Sequence, residues 1–306
     1  MTLVISSYNF TEDLGFSRIK DSKKDLKIPS GTFVIADSVI THPDFKGSRL
    51  ATSFRKTYEI DVKVYRPYFR PHGVLGDFDQ LATTQTCLVS MAGSTLVAQH
   101  ALNLISNHLG NMHYVFDIHD KKYKIIRSCE KNPMLTQGYV EWDESMFSDD
   151  DIQGLLSADL IHKTVLFSID HIVNSVARAR LGDTSKISTE FLLNVQCPAT
   201  KEHTIYKYTM NQGGPKGIEI IHSKIDRGDI GVIGMRDLFY ERAKDIYRSC
   251  LEKQSDPQPA LIDLMKAAIS EVHSAGSFEI DYPISIKKIG RRKIEKIVIP
   301  APNLEN

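Results

Sequence analysis

The sequence predicts an α+β fold in which two antiparallel sheets stack face to face, with helices outside both, as a four-layer α/β/β/α sandwich. Two observations predict this class: β-branched, apolar runs begin and end the chain, and segments with helical periodicity separate further strand-like runs. Strands and helices that follow one another in blocks favour segregated layers over a doubly wound parallel sheet. No repeat or linker divides the 306 residues, so a single domain over 1–306 is expected.

The first two predicted strands are residues 2–8 and 32–37, which are rich in Val, Ile and Thr. The stretch between them is rich in Asp, Lys and Ser, which indicates an antiparallel pair joined by a long exposed loop. In such a pair the start of the first strand lies beside the end of the second. Asp37 is therefore expected next to Thr2.

The rest of the chain continues with alternating blocks of strands and helices. In chain order, the predicted elements are strands within 55–68 and at 86–92, a helix from Ser94 to about Asn107, a hairpin of 114–118 and 123–126, helices over 152–176, strands at 191–195, 205–208, 218–221 and 230–233, helices at 237–251 and 259–272, and strands at 278–289 and 294–299. The Pro- and Gly-containing segment 67–76 predicts a loop or insertion. Residues 148–151, Ser-Asp-Asp-Asp, stand at a helix start, where acidic side chains favour capping over metal binding.

The composition argues against several classes of protein. The 38 Lys and Arg residues balance 38 Asp and Glu residues, so no net charge attracts nucleic acid. No apolar run approaches the ~20 residues that span a bilayer, and the start of the chain lacks a secretion signal, which predicts a cytoplasmic protein with no membrane partner. The basic residues Lys287, Lys288 and 291–293 favour a solvated strand edge over a nucleic-acid patch.

Metal and cofactor sites are not indicated. The four cysteines are tens of residues apart, which does not fit a zinc ribbon or a disulfide framework. The histidines lack the i, i+4 spacing of a helical metal pair, and no glycine-rich phosphate loop is found. Cys87 lies within an apolar strand, where a thiol is normally inert.

Thr2 is the strongest candidate for a catalytic residue. A small side chain after the initiator methionine generally permits removal of Met1, which leaves Thr2 with a hydroxyl and a free α-amine. The pKa of that amine is ~7.7 to 8.0 when it is unperturbed, so the amine can accept the hydroxyl proton. Lys56 begins the next segment and could pair with Asp37; its charge would hold the Thr2 amine neutral.

These residues, taken in order, resemble the N-terminal-nucleophile (Ntn) hydrolases with an N-terminal threonine, specifically the proteasome β-subunits and their bacterial proteasome-like relatives. The motifs that carry the resemblance are Thr2, Ala36-Asp37-Ser38-Val39-Ile40-Thr41, Lys56 with Ile60, Met91-Ala92-Gly93-Ser94, and Glu271-Val272-His273-Ser274-Ala275-Gly276. The resemblance implies a threonine-type peptidase that acts on peptides or unfolded proteins. It also implies a ring-shaped homo-oligomer, with a possible ATPase unfoldase as partner.

The same resemblance implies a role for each matching residue. The N–H of Gly93 would stabilise the oxyanion, Met91 would line the substrate pocket, and Glu271 and Ser274 would orient the Thr2 amine. Compared with the family, the chain is extended near 9–30, 62–85 and 112–150.

Two departures from the family pattern keep two alternatives open. Met235 stands where the family carries a serine beside the nucleophile, and Glu271 replaces the usual aspartate. The first alternative is a catalytically silent proteasome-like subunit with a structural or recognition role. The second is an Ntn amidase that uses Thr2 on a small amide.

Overall fold

The computed structural model describes residues 2–10, 29–41, 49–136, 142–178, 188–212, 218–290 and 294–302. The strands are β1 (Leu3–Asn9), β2 (Gly31–Ala36), β3 (Ile40–Thr41), β4 (Arg49–Ala51), β5 (Thr57–Arg70), β6 (Val74–Gly93), β7 (Met112–Asp117), β8 (Lys122–Arg127), β9 (Thr189–Gln196), β10 (His203–Gln212), β11 (Ile218–Ile225), β12 (Gly231–Gly234), β13 (Ile284–Ile289) and β14 (Ile294–Ile299). The helices are α1 (Thr95–Gly110), α2 (Pro133–Thr136), α3 (Asp149–Ile152), α4 (Ala158–Arg178), α5 (Arg236–Glu252) and α6 (Pro257–Ser274). The protein is thus a mixed α+β structure with more than one sheet.

A five-stranded antiparallel sheet has the order β12-β1-β2-β13-β14. The predicted pairing of the first two strands is confirmed, with Val4 opposite Ala36. All seven residues of β1 are buried, because the strand has a neighbour on each side and packs on both faces. The predicted loop between β1 and β2 lies mostly outside the described residues.

A seven-stranded sheet has the order β11-β10-β9-β6-β5-β7-β8, and its strands are antiparallel except for the β5–β7 pair. The prediction of a loop at 67–76 is wrong, because β5 and β6 continue as a long hairpin around a turn at Pro71–Gly73. The Pro67 position falls at a register shift of the hairpin, where a missing N–H is tolerated. Phe69 packs against the rings of Trp142 and Phe147, at centroid distances of 6.4 and 5.9 Å, so apolar contacts favour the strand extension.

Three apolar clusters connect the sheets and helices. The first joins the seven-stranded sheet to α1 and α4, and the second joins the five-stranded sheet to α5 and α6. The third contains residues of both sheets, among them Val4 of β1 and Leu192 of β9. Leu3 and Ile5 belong to the second cluster, so successive residues of β1 face the helices and the other sheet in turn.

The acidic run at 148–151 caps a helix, as the sequence predicts. Asp151 accepts a hydrogen bond from the Ser148 N–H at 3.1 Å and another from the Ser148 hydroxyl at 2.6 Å. The helices predicted over 152–176 are α3, which ends at Ile152, and α4, which begins at Ala158. Two element boundaries differ from the predicted ones. α1 continues to Gly110 rather than ending near Asn107, and β13 begins at Ile284 rather than at residue 278.

Lys287 does not lie on a solvated edge, which corrects the interpretation of the basic residues 287–293. It is buried, and its Nζ donates to the Thr57 carbonyl at 2.9 Å and to Glu59 Oε1 at 2.6 Å. The carboxylate of Glu59 compensates the charge, which allows an ammonium to be buried. Residues 291–293 lie outside the described residues.

Over the described ranges, every helix is too short or too polar to cross a bilayer.

Candidate active site

Thr2 lies directly before β1, between the ends of β2 and β12. Its carbonyl oxygen accepts a hydrogen bond from the Met235 N–H at 2.8 Å. The residue is 4% exposed, so its hydroxyl faces protein groups rather than bulk water. Both neighbouring strands therefore fix the position of the candidate nucleophile.

Gly234 ends β12 beside Thr2 and has a φ of +87°. A Cβ at this position would lie 1.8 Å from the Thr2 carbonyl oxygen. Glycine is favoured both by the left-handed backbone and by the close approach of the Thr2 backbone.

We expect Gly234→Ala to destabilise the protein by about 2–4 kcal/mol, because the left-handed strain of about 1–3 kcal/mol adds to a backbone clash. Gly154→Ala is the matched control, since Gly154 has a φ of +79° but open space around it. Urea unfolding of both variants separates the clash from the strain. Equal losses of unfolding free energy would show that the Thr2 contact imposes no constraint.

Asp37 directly follows β2 and is fully buried beside Thr2. Its Oδ1 accepts from the Leu3 N–H at 2.9 Å, and its Oδ2 accepts from the Val39 N–H at 3.0 Å. Burial raises the pKa of Asp37, while the Lys56 ammonium and these two N–H groups oppose the rise. The carboxylate therefore ties the end of β2 to the start of β1.

Lys56 directly precedes β5, in the other sheet, and its Nζ donates a short hydrogen bond to Thr2 Oγ1. The same Nζ lies 3.9 Å from Asp37 Oδ2. Its carbonyl accepts from the Met91 N–H at 3.0 Å, which anchors the lysine backbone to β6. Burial lowers the pKa of Lys56, opposed by the charge of Asp37.

The three groups Thr2, Asp37 and Lys56 can activate a hydroxyl. Burial acts against the charge of Lys56, so its amine, which contacts Oγ1, can accept the threonine proton once it has released its own. The structure thus brings together the three residues that the sequence places in one site, and Lys56 touches the hydroxyl itself.

Gly93, the predicted oxyanion residue, ends β6 with a φ of +103°. A Cβ there would lie 2.2 Å from the Ser188 carbonyl oxygen, so glycine is needed at this bend. The preceding methyl group of Ala92 lies 3.4 Å from the position of a Cβ on Gly234. The end of β6 therefore approaches the strand end that contacts Thr2.

Met91 is 3% exposed and belongs to the cluster between the seven-stranded sheet and α1. Its side chain is part of the core, and its role as a pocket residue stays a prediction.

Glu271 and Ser274 lie on α6 and are exposed. Glu271 pairs with Arg242 at 2.6 Å, and the Ser274 hydroxyl donates to the Ser270 carbonyl at 2.8 Å. The partners of these two side chains lie on α5 and α6, so their orienting role also stays a prediction.

Met235 contacts Thr2 through its backbone, while its side chain is buried in the cluster with α5 and α6. Its carbonyl accepts from the N–H groups of Leu238 and Phe239, both at 3.3 Å, at the start of α5. The residue that departs from the family pattern thus retains a backbone contact but offers no hydroxyl.

Glu190 and Lys207 were not singled out from the sequence, yet they lie next to this region. Glu190 Oε2 accepts from the Gly234 N–H at 2.8 Å, and Lys207 Nζ lies 3.1 Å from Glu190 Oε1. The available sequence signal was a charged residue beside or within each of two predicted strands, 191–195 and 205–208.

The part of the chain that the structure describes contains no group of three His, Cys, Asp or Glu side chains arranged to hold a metal ion. No protein-family model and no curated protein matches the chain. The resemblance to the proteasome-like hydrolases therefore rests on the sequence motifs alone.

Proposed function

We propose that the protein is a threonine-type peptidase of the proteasome-like Ntn class, with Thr2 as its nucleophile after removal of Met1. The observation that supports this most is the contact between Lys56 Nζ and Thr2 Oγ1, with Asp37 3.9 Å from the same Nζ. A threonine hydroxyl, a buried lysine and a buried aspartate are brought together from three separate segments, and hydroxyl activation accounts for this arrangement.

The fold proposed with this function is the four-layer α/β/β/α sandwich. Its support is the division of apolar residues into three clusters, one between the two sheets and one between each sheet and its own helices. The antiparallel order around β1 and β2 also suits a nucleophile that precedes an inner strand.

In the proposed reaction, Thr2 Oγ attacks the carbonyl carbon of a peptide bond while its proton passes to a neutral amine. Either Lys56 Nζ or the freed α-amine of Thr2 can accept that proton. The carbonyl oxygen takes the negative charge, for which the Gly93 N–H is the proposed donor. The proton then goes to the departing amine, and water releases the acid from the threonine ester.

The proposal extends to the assembly and its partners only through the resemblance. It includes a cytoplasmic ring of identical subunits that enclose the active sites, peptide or unfolded-protein substrates, and an ATPase unfoldase as a possible partner.

A catalytically silent subunit is the second candidate. The side chain of Met235 is buried among apolar residues, so it supplies no hydroxyl beside Thr2. An amidase with the same Thr2 chemistry differs in substrate and is distinguished by turnover of small amides but not peptides.

Intact-mass measurement of the protein, purified without an N-terminal tag, tests the first requirement of the proposal. We expect a mass lower by one methionine residue, and after incubation with a peptide β-lactone we expect one adduct, located on Thr2 by peptide mapping. Denatured protein is the control, because labelling should depend on the folded site. Retained Met1 without an adduct would favour the silent subunit, and an adduct on another residue would move the site.

A further inference from the structure

A second, partly buried ion pair lies beside the candidate site. Glu190 on β9 and Lys207 on β10 are neighbours in the seven-stranded sheet, with side chains 17% and 12% exposed. Each also reaches the backbone of the other sheet: Lys207 Nζ donates to the Val232 carbonyl at 2.9 Å, and Glu190 accepts from the Gly234 N–H at 2.8 Å. The pair therefore connects the two sheets at β12.

The position of β12 determines the position of Thr2. β12 lies at one edge of the five-stranded sheet and pairs with β1, with Leu3 opposite Gly234, so the end of β12 lies beside Thr2. The N–H of Met235, which directly follows β12, holds the Thr2 carbonyl. The Glu190–Lys207 pair contacts β12 from the other sheet. The Thr209 hydroxyl also donates a hydrogen bond to Glu190 Oε1 at 3.4 Å.

We propose that Glu190 is a positioning residue for Thr2, acting through the Gly234–Met235 backbone, with Lys207 as its counter-ion. This inference rests on the proposed function of Thr2. A carboxylate that accepts from a backbone N–H forms a charge-assisted bond, stronger than a neutral one. Lys207 makes the burial of that carboxylate tolerable, since a buried charge needs a partner.

The experiment measures covalent labelling of Thr2 in the full-length protein by the same peptide β-lactone, with the maximal rate kinact and the half-saturating concentration KI determined separately. The Thr2 hydroxyl opens the lactone to an ester, and its proton ends on the released ring oxygen. In Glu190→Ala we expect kinact to fall about 10- to 100-fold with KI nearly unchanged, because a nucleophile displaced by about 1 Å reacts more slowly.

Two further variants separate positioning from general stability. Glu190→Gln keeps a side-chain oxygen for the Gly234 N–H, so its kinact should stay within about threefold of wild type. Asp117→Asn is the control: Asp117 pairs with Lys124 at 2.7 Å, is 16% exposed and lies on β7. Hydrogen exchange of the Met235 amide should accelerate in Glu190→Ala but not in the control.

The possible failures are distinguishable. If wild-type Thr2 is not labelled, the proposed function fails and this inference falls with it. If wild-type Thr2 is labelled and Glu190→Ala reacts at the same rate, only the positioning role of Glu190 is overturned. Equal losses of kinact in Glu190→Ala and Asp117→Asn would also overturn it, because the effect would then reflect stability alone.

Discussion

Thr2→Ala is expected to lower peptide hydrolysis by at least about 1,000-fold, because it removes the attacking oxygen of the proposed reaction. The fold should persist, since the substitution deletes a hydroxyl and a methyl group at one strand end. We expect a change in unfolding free energy of about 1 kcal/mol, which urea unfolding would measure.

Thr2→Ser is the matched control for this variant. Serine retains the hydroxyl that Lys56 contacts and also permits removal of Met1, so measurable hydrolysis should remain. Wild-type turnover by Thr2→Ala would contradict the assignment of the nucleophile. Loss of activity in both variants with normal folding would show that the threonine methyl group is needed to orient the hydroxyl.

Lys56→Met is expected to lower both activity and stability. It removes the group in contact with Thr2 Oγ1, which should lower the hydrolysis rate about 100- to 10,000-fold. It also leaves the fully buried Asp37 without its cation, which typically destabilises a protein by about 3–5 kcal/mol.

Lys63→Met is the control for the stability effect. Lys63 Nζ lies 3.9 Å from Asp61 Oδ2, the same separation as in the Lys56–Asp37 pair, but these side chains are 38% and 58% exposed. Exposed pairs contribute about 0–1 kcal/mol, so the two variants should differ several-fold in urea unfolding. Similar losses of unfolding free energy in the two variants would show that the buried Lys56–Asp37 pair contributes no more to stability than an exposed pair.

The pH dependence of Lys56→Met supplies a second readout. Burial raises the folded-state pKa of Asp37, and loss of the Lys56 charge raises it further. A folded pKa above the unfolded value means that protonation favours the folded state. The stability deficit of the variant should therefore shrink as the pH falls through that folded pKa, and a deficit that grows on acidification would contradict this account.

Local patterns were sufficient to predict part of the site. The β-branched, apolar runs of β1 and β2 and their antiparallel pairing place Asp37 beside Thr2, since a hairpin has a simple geometry. Lys56 was placed by the motif, and the structure adds its contact with the hydroxyl. Glu190 could not be placed, because its bond to Gly234 depends on how the two sheets stack, which no local pattern specifies.

The wrong predictions have a similar origin. The basic residues around Gly290 predict a solvated Lys287, yet Glu59 from the other sheet compensates its charge. The segment 67–76 was interpreted as a loop because of its proline and glycine residues. Aromatic residues at 142 and 147, far along the sequence, cover the hairpin and outweigh those local preferences.

The pairing of β1 with β12 has a consequence for synthesis of the protein. β1 spans residues 3–9, but its partner β12 spans residues 231–234, so the ribosome must release more than two hundred residues between them. Contacts this distant in sequence form late, since the intervening chain must first be ordered. A nascent chain would therefore carry Thr2 without the Met235 contact for most of translation, and the site around Thr2 would be completed only near its end.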